Sequence, residues 1–204
     1  MNVDLALILA VDCSSSVDEG DYHLQMQGIA DALRNPQLVN AIANGDEGRI
    51  AFALVQWSTQ HSQSIVIKWR SLQTAFDLLS TAQEIEHVDR HWLPGGTGLA
   101  IALDFCSALM QRVPALATRK VIDVSGDGEE NEGGNVVRAR NSAIAHGITI
   151  NGLPILYGSK YIEAYYAQVV TGGQGSFVIP ATNMSAFKDA MTQKLLREIA
   201  PQFV

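Results

Sequence analysis

The chain has 204 residues, 47% hydrophobic and 17% charged, which excludes a disordered segment and suits one domain, 1–204, able to bury a core without disulfide staples. Its net charge of -7 argues against non-specific nucleic-acid binding, which needs a basic stripe. Two cysteines, Cys13 and Cys106, are too few for a disulfide framework and read as free, partly buried thiols.

Residues 5–11 are an unbroken apolar run, the mark of a strand buried on both faces at the centre of a parallel sheet. Val17, Leu24, Ile29, Ala30 and Leu33 recur at helical spacing, so 18–34 reads as a helix that Asn35-Pro36 breaks. Residues 49–57 form a second strand. Residues 63–69 alternate, which predicts a half-exposed edge strand joined to the second by a hairpin at 58–62. Helical patterns follow at 71–82 and 97–111, then a strand at 119–124. A helix at 134–146 ends on Gly147 as its C-cap. A strand at 148–155, a helix at 159–169, a short strand at 175–180 and an amphipathic helix at 184–199 complete the chain. This alternation predicts an α/β fold: a doubly wound, mostly parallel central sheet with one antiparallel edge strand and helices on both faces.

In such sheets ligands bind outside the carboxyl ends of the strands. Three polar loops are placed to meet there: 12–16 after the first strand, 94–98 at the start of a helix, and 125–131 after the strand at 119–124. They offer two carboxylates, Asp12 and Asp127, and the hydroxyls of Ser14, Ser16 and Thr97. Hard oxygen donors suit Mg²⁺, Mn²⁺ or Ca²⁺ rather than zinc, and a divalent cation relieves the repulsion between two carboxylates. Ser14 and Ser16 are alternate residues of one turn and can point the same way. Gly95, Gly96 and Gly98 let backbone pass close by.

The pattern Asp12-x-Ser14-x-Ser16, then Thr97, then Asp127-Gly128, resembles the metal-ion-dependent adhesion site of von Willebrand factor A-type (vWA) domains, and the order of elements along the whole chain agrees. VIDVSGDG and GITINGLPI resemble a bacterial branch of that family rather than integrins or matrix proteins. The resemblance implies that Ser14 and Ser16 bind the metal directly. It implies that Thr97 does so directly or through water according to state, and that Asp12 and Asp127 act directly or through bound waters. One coordination position stays open for an Asp or Glu of a partner protein. The implied function is a cation-dependent protein-binding module, an adhesion or scaffold domain without catalytic residues and not an enzyme. Three features depart from the pattern. Gly126 stands where a hydroxyl residue often precedes the later Asp. Asp123 lies inside an apolar strand, where a charge is costly unless paired. An acidic run, Glu129, Glu130 and Glu132, borders the third loop.

Other readings compete. The hydroxyls can simply cap helices. A Mg²⁺- or Mn²⁺-dependent phosphoester hydrolase suits oxygen ligands, but no His, Lys or Arg belongs to the three loops. The metal can also serve only to stabilise the loops. His87 and His91 have zinc spacing, yet Pro94 follows and no third ligand is evident. Residues 172–175 look like a phosphate loop without its Lys-Ser/Thr and read as a turn. Tyr157, Tyr161 and Tyr165 make one helical stripe, read as a packed face, and Trp92 is placed to rim the binding face. No run of about 18 apolar residues spans a membrane. The first residues are not a convincing signal peptide. The chain reads either as cytosolic or as one whose leader was removed, and the family resemblance favours a periplasmic or secreted protein whose leader is missing here.

Overall fold

The structure, a computed structural model, describes residues 1–91 and 95–200. The first apolar run becomes β1, Asn2–Asp12, which pairs in parallel with β2, Ile50–Trp57, on one side and with β4, Leu116–Gly126, on the other. β3, Gln63–Leu72, runs antiparallel to β2 at one edge, and β5, Thr149–Pro154, runs parallel to β4. The sheet order is therefore β3-β2-β1-β4-β5, the mostly parallel sheet with one antiparallel strand that the sequence predicts. Leu5, Leu7, Leu9 and Val11 of β1 pack into one core layer, while Ala6, Ile8 and Ala10 pack into the other. Period-two alternation with both faces apolar is why the run reads as continuous.

The first layer is covered by α1 (Glu19–Leu33), α2 (Pro36–Ala43), α3 (Ala75–Glu86) and α7 (Phe187–Ile199). The second is covered by α4 (Leu99–Met110), α5 (Val136–Ala145) and a π-helical stretch, Tyr166–Val170, that continues α6 (Lys160–Tyr165). α2 is absent from the sequence reading. Asn35 does break the preceding helix, but it also caps a new one by accepting from the Gln37 amide, with Pro36 in the first turn where its missing N–H costs nothing. α3 starts later than predicted because β3 runs on to Leu72, and Thr74 and Asp77 then form a capping box. In α1 Leu24 is exposed, and Tyr22, Gln25 and Met26 take the buried face. The strand expected at 175–180 is reduced to single bridges, Val178 to Gly152 and Ala181 to Ile155. Gly147 has φ +72, and the amides of Gly147 and Ile148 close α5 onto Ile144 and Ala143, so the predicted glycine cap is present.

Asp123 has its partner inside the core. Lys194 of α7 places Nζ 2.9 Å from Asp123 Oδ1 and 2.8 Å from Glu198 Oε1, and Asn151 Nδ2 donates to the same Glu198 oxygen at 3.0 Å. All four residues are buried. This cluster ties α7 to β4 and β5. It sets two carboxylates against one ammonium, and burial, with Glu198 adding to it, pushes the Asp123 carboxyl up to about 8.

Candidate metal centre

The chain leaves β1 toward β2 on one side and later returns to β4 on the other, so the carboxyl ends of β1 and β4 are the switch point of the sheet. Asp12 is the last residue of β1, and Asp127 follows the last residue of β4. Backbone hydrogen bonds join the loops around them. The Ser15 amide donates to the Gly95 carbonyl at 2.8 Å, and the Asn131 amide donates to the Thr97 carbonyl at 3.0 Å.

The side chains close the cluster. Ser14 N–H donates to Asp12 Oδ1 at 2.7 Å. The hydroxyls of Ser14 and Ser16 lie 3.1 Å apart, and Ser16 Oγ donates to Asp127 Oδ1 at 2.6 Å. Asn131 fixes Thr97 by accepting from its amide at 2.8 Å and donating to its hydroxyl at 3.5 Å. That hydroxyl stands beside Gly128, 3.4 Å from where a Cβ there would sit. All five predicted residues thus occupy three mutually bonded loops at one end of the sheet. None of the hydroxyls of Ser14, Ser16 and Thr97 caps a helix: Asp18 caps α1, and α4 begins at Gly98 without a side-chain cap.

Electrostatics shape the cluster. Asp12 is fully buried, and its Oδ2 has no hydrogen-bond partner. Burial, then the charge of Asp127, pushes its carboxyl up to about 7. Burial raises Asp127 as well, against the hydrogen bond from Ser16. Two carboxylates and three hydroxyls, with one carboxylate oxygen buried and unpartnered, can hold a hard divalent cation, which meets the need otherwise met by a proton. Cys13 stays out of the set: its thiol packs in the core, and burial pushes it up to about 12.

Several residues that the sequence reading passes over build this site. Arg90 donates to the carbonyls of Val17, Cys13 and Ser14 at 2.9, 2.5 and 2.8 Å, clamping the first loop from 73 or more residues away. Gln25, buried on α1, donates to the Asp12 carbonyl at 3.0 Å. Such long-range contacts leave no local signal. Within the acidic run Glu130 is structural: it accepts from the Ala100 amide at the start of α4, where a helix favours negative charge, and from the amides of Glu132 and Gly134. The tyrosine stripe is packed only at Tyr165, which lies against the second core layer. Tyr157 and Tyr161 are exposed, not packed, and their hydroxyls donate to Asp21 and Glu129 beside the site. Tyr157 also has φ +42, an uncommon backbone for a bulky residue. Tyr166 is fully buried with its hydroxyl unpartnered, and burial raises it well above the ordinary range.

His87 sits at the end of α3 with Nδ1 against the Gln83 carbonyl, so it does not form a helical pair with His91. Among the described residues no group of three or more His, Cys, Asp and Glu could hold a metal. Gly173 and Gly175 have positive φ, as the predicted turn requires. Trp92 and Pro94 lie outside the described residues.

The mostly parallel five-stranded sheet with helices on both faces is a vWA-like α/β fold. Among solved structures it resembles proximal thread matrix protein 1 of the mussel byssus, at 17% identity and TM-score 0.69, over 97% of this chain and 48% of that one. A form of the same mussel protein, described as having a zinc-occupied MIDAS motif, is 16% identical with TM-score 0.66, over 96% of this chain and 48% of that chain. The chain thus spans about half the length of that relative. The conserved hypothetical protein BatB of Bacteroides thetaiotaomicron is 17% identical with TM-score 0.65, over 95% of this chain and 98% of that one. Residues 2–203 match the family described as protein of unknown function (DUF1194), and the chain belongs to that family. No curated protein matches it in sequence.

Proposed function

We propose that this chain is a protein-binding module whose contact with its partner runs through a divalent cation at the switch point. The observation that carries the reading is the convergence of Asp12, Ser14, Ser16, Thr97 and Asp127 on three bonded loops, with a buried carboxylate oxygen left without a partner. A bound cation supplies a positive centre with an open position for a carboxylate. With the hydroxyls as direct ligands and the aspartates partly behind waters, that centre keeps enough charge to attract an Asp or Glu of the partner. The exposed Tyr157 and Tyr161 beside it are the kind of aromatic anchor that protein interfaces use.

The cation is proposed as Mg²⁺, with Mn²⁺ or Ca²⁺ as alternatives. The zinc in the mussel protein's motif means that zinc belongs in the same test. The mussel matrix-protein neighbour supports a binding role and a secreted or periplasmic place. No helix among the described residues is long and apolar enough to cross a membrane. Phosphoester hydrolysis gains no support from the geometry. No His, Lys or Arg belongs to the three loops, and the nearby Arg90 is engaged by three backbone carbonyls.

The test is thermal melting of chelator-stripped protein titrated with each cation, beside Asp12→Ala and Asp127→Ala, followed by binding to an array of acidic peptides with and without chelator. A ligand of the native state stabilises by about 2.7 kcal/mol at a hundred times its Kd. Wild type should gain stability and bind acidic peptides only with metal, and both variants should lose both responses. A wild type indifferent to every cation, or peptide binding that survives chelator, refutes the proposal.

A further inference from the structure

Burying a phenol with its hydroxyl unsatisfied is costly, so Tyr166 calls for an account. The fold goes to some length to put it there. The π-helical stretch begins at this residue, with the Thr171 amide donating to the Tyr166 carbonyl at 2.9 Å, and such local widenings of a helix recur at functional sites. Two glycines on neighbouring strands make room for the side chain. A Cβ on Gly152 would lie 2.8 Å from Tyr166 Cδ1, and a Cβ on Gly126 would lie 2.6 Å from the Tyr166 hydroxyl. The same Gly126 position is 2.8 Å from Asp12 Oδ2. Two buried, unpartnered oxygens, one a donor and one an acceptor, therefore flank the space that a side chain on residue 126 would fill.

We propose that Tyr166 is a positioning residue of the cation site: its hydroxyl is the donor that Asp12 Oδ2 lacks, reaching it directly or through one water and holding that oxygen in place when a cation is bound. The phenol comes in from the helical layer and reaches the space that Gly126 leaves open beside Asp12 Oδ2. This inference rests on the cation-binding reading above. Groups that orient a metal ligand from behind are typically worth about 10–100-fold in metal affinity.

The experiment is calorimetric titration of chelator-stripped wild type, Tyr166→Phe, Gly126→Ser and the double variant with Mn²⁺ and Mg²⁺, together with melts in chelator. Tyr166→Phe should melt in chelator at or above the wild-type temperature, since the lost hydroxyl has no partner there, and bind the cation about tenfold more weakly. Gly126→Ser alone should also weaken binding, because its Cβ meets both oxygens. The double variant should be no weaker than Gly126→Ser alone, because a side chain at 126 already separates the phenol from Asp12 Oδ2. Wild-type affinity in Tyr166→Phe, or a loss of stability in chelator with unchanged affinity, overturns the inference while the cation reading stands. A wild type that binds neither cation overturns both.

Discussion

Replacing Lys194 by Met tests whether the buried cluster pins α7 to the sheet. The substitution keeps the length of the side chain and removes the ammonium that faces Asp123 and Glu198 at 2.9 and 2.8 Å. Lys194 is 0% exposed, so water cannot replace the lost partner. Removing one member of a buried ionic set typically costs about 3–5 kcal/mol, out of a total of about 5–15 kcal/mol for a folded protein. At about 2–4 °C per kcal/mol for a chain of this size, Tm should fall by about 6–20 °C. Urea melts between pH 5 and 8 extend the test. The folded-state pKa of Asp123 is raised from 3.8 to about 8, so the native chain holds a proton there that the unfolded chain has released. That contribution is fully present below about pH 4 and is lost as pH rises to about 8. Glu198→Gln leaves one carboxylate for one ammonium and keeps an acceptor for Asn151. It should flatten the pH slope relative to wild type at little cost in stability. Both proteins are measured in chelator, so the raised carboxyls of Asp12 and Asp127 cancel in the difference. A Lys194→Met variant within about 1 kcal/mol of wild type, with an unchanged slope in Glu198→Gln, refutes the argument.

Three further outcomes are expected. Arg90→Met removes three hydrogen bonds to the carbonyls of the first loop and should cost about 2–3 kcal/mol in urea melts. It should also weaken cation binding in calorimetry, because the loop that carries Ser14 and Ser16 loses its clamp. Gly147→Ala forces a Cβ into the left-handed region at φ +72 and should cost about 1–2 kcal/mol by the same melts. Cys13 and Cys106 are buried, with thiols pushed up to about 12, and should resist a maleimide at pH 8 until urea unfolds the chain.

The sheet was legible because its strands announce themselves locally. The run at 5–11, the alternation at 63–69 and the five-residue hairpin between β2 and β3 each depend on nearest neighbours in the chain. The five candidate ligands were legible because strand ends and a helix start fix where their loops must lie. α2 was missed because Asn35-Pro36 reads as an end when it is also a beginning. Asp123 called for a partner that the sequence did not name, and α7, some seventy residues later, supplies it as Lys194. The role of the tyrosines was hidden for another reason. Helical spacing groups Tyr157, Tyr161 and Tyr165, but Tyr157 precedes the helix and the turn of register at Tyr166 sends the next side chain inward. Periodicity can report a face, and it cannot say whether that face meets core or solvent.

The two edges of the sheet have different fates. Beyond β5 the chain folds back and covers the margin with the bridges at Gly172, Val178 and Ala181. β3 ends the other side, and among the described residues no strand lies beyond it. A long flat margin of that kind recruits copies of itself and seeds aggregates. Here the pairing of β2 with β3 slips between Phe52 and Leu54 and again between Leu54 and Val55, which bends the ribbon. Lys68 is exposed on the same strand, and Arg70 follows it, paired to Glu84 of α3. Irregular register and like charges make stacking of β3 on its own copy unfavourable. The protein can therefore be concentrated without its open margin turning into a fibre.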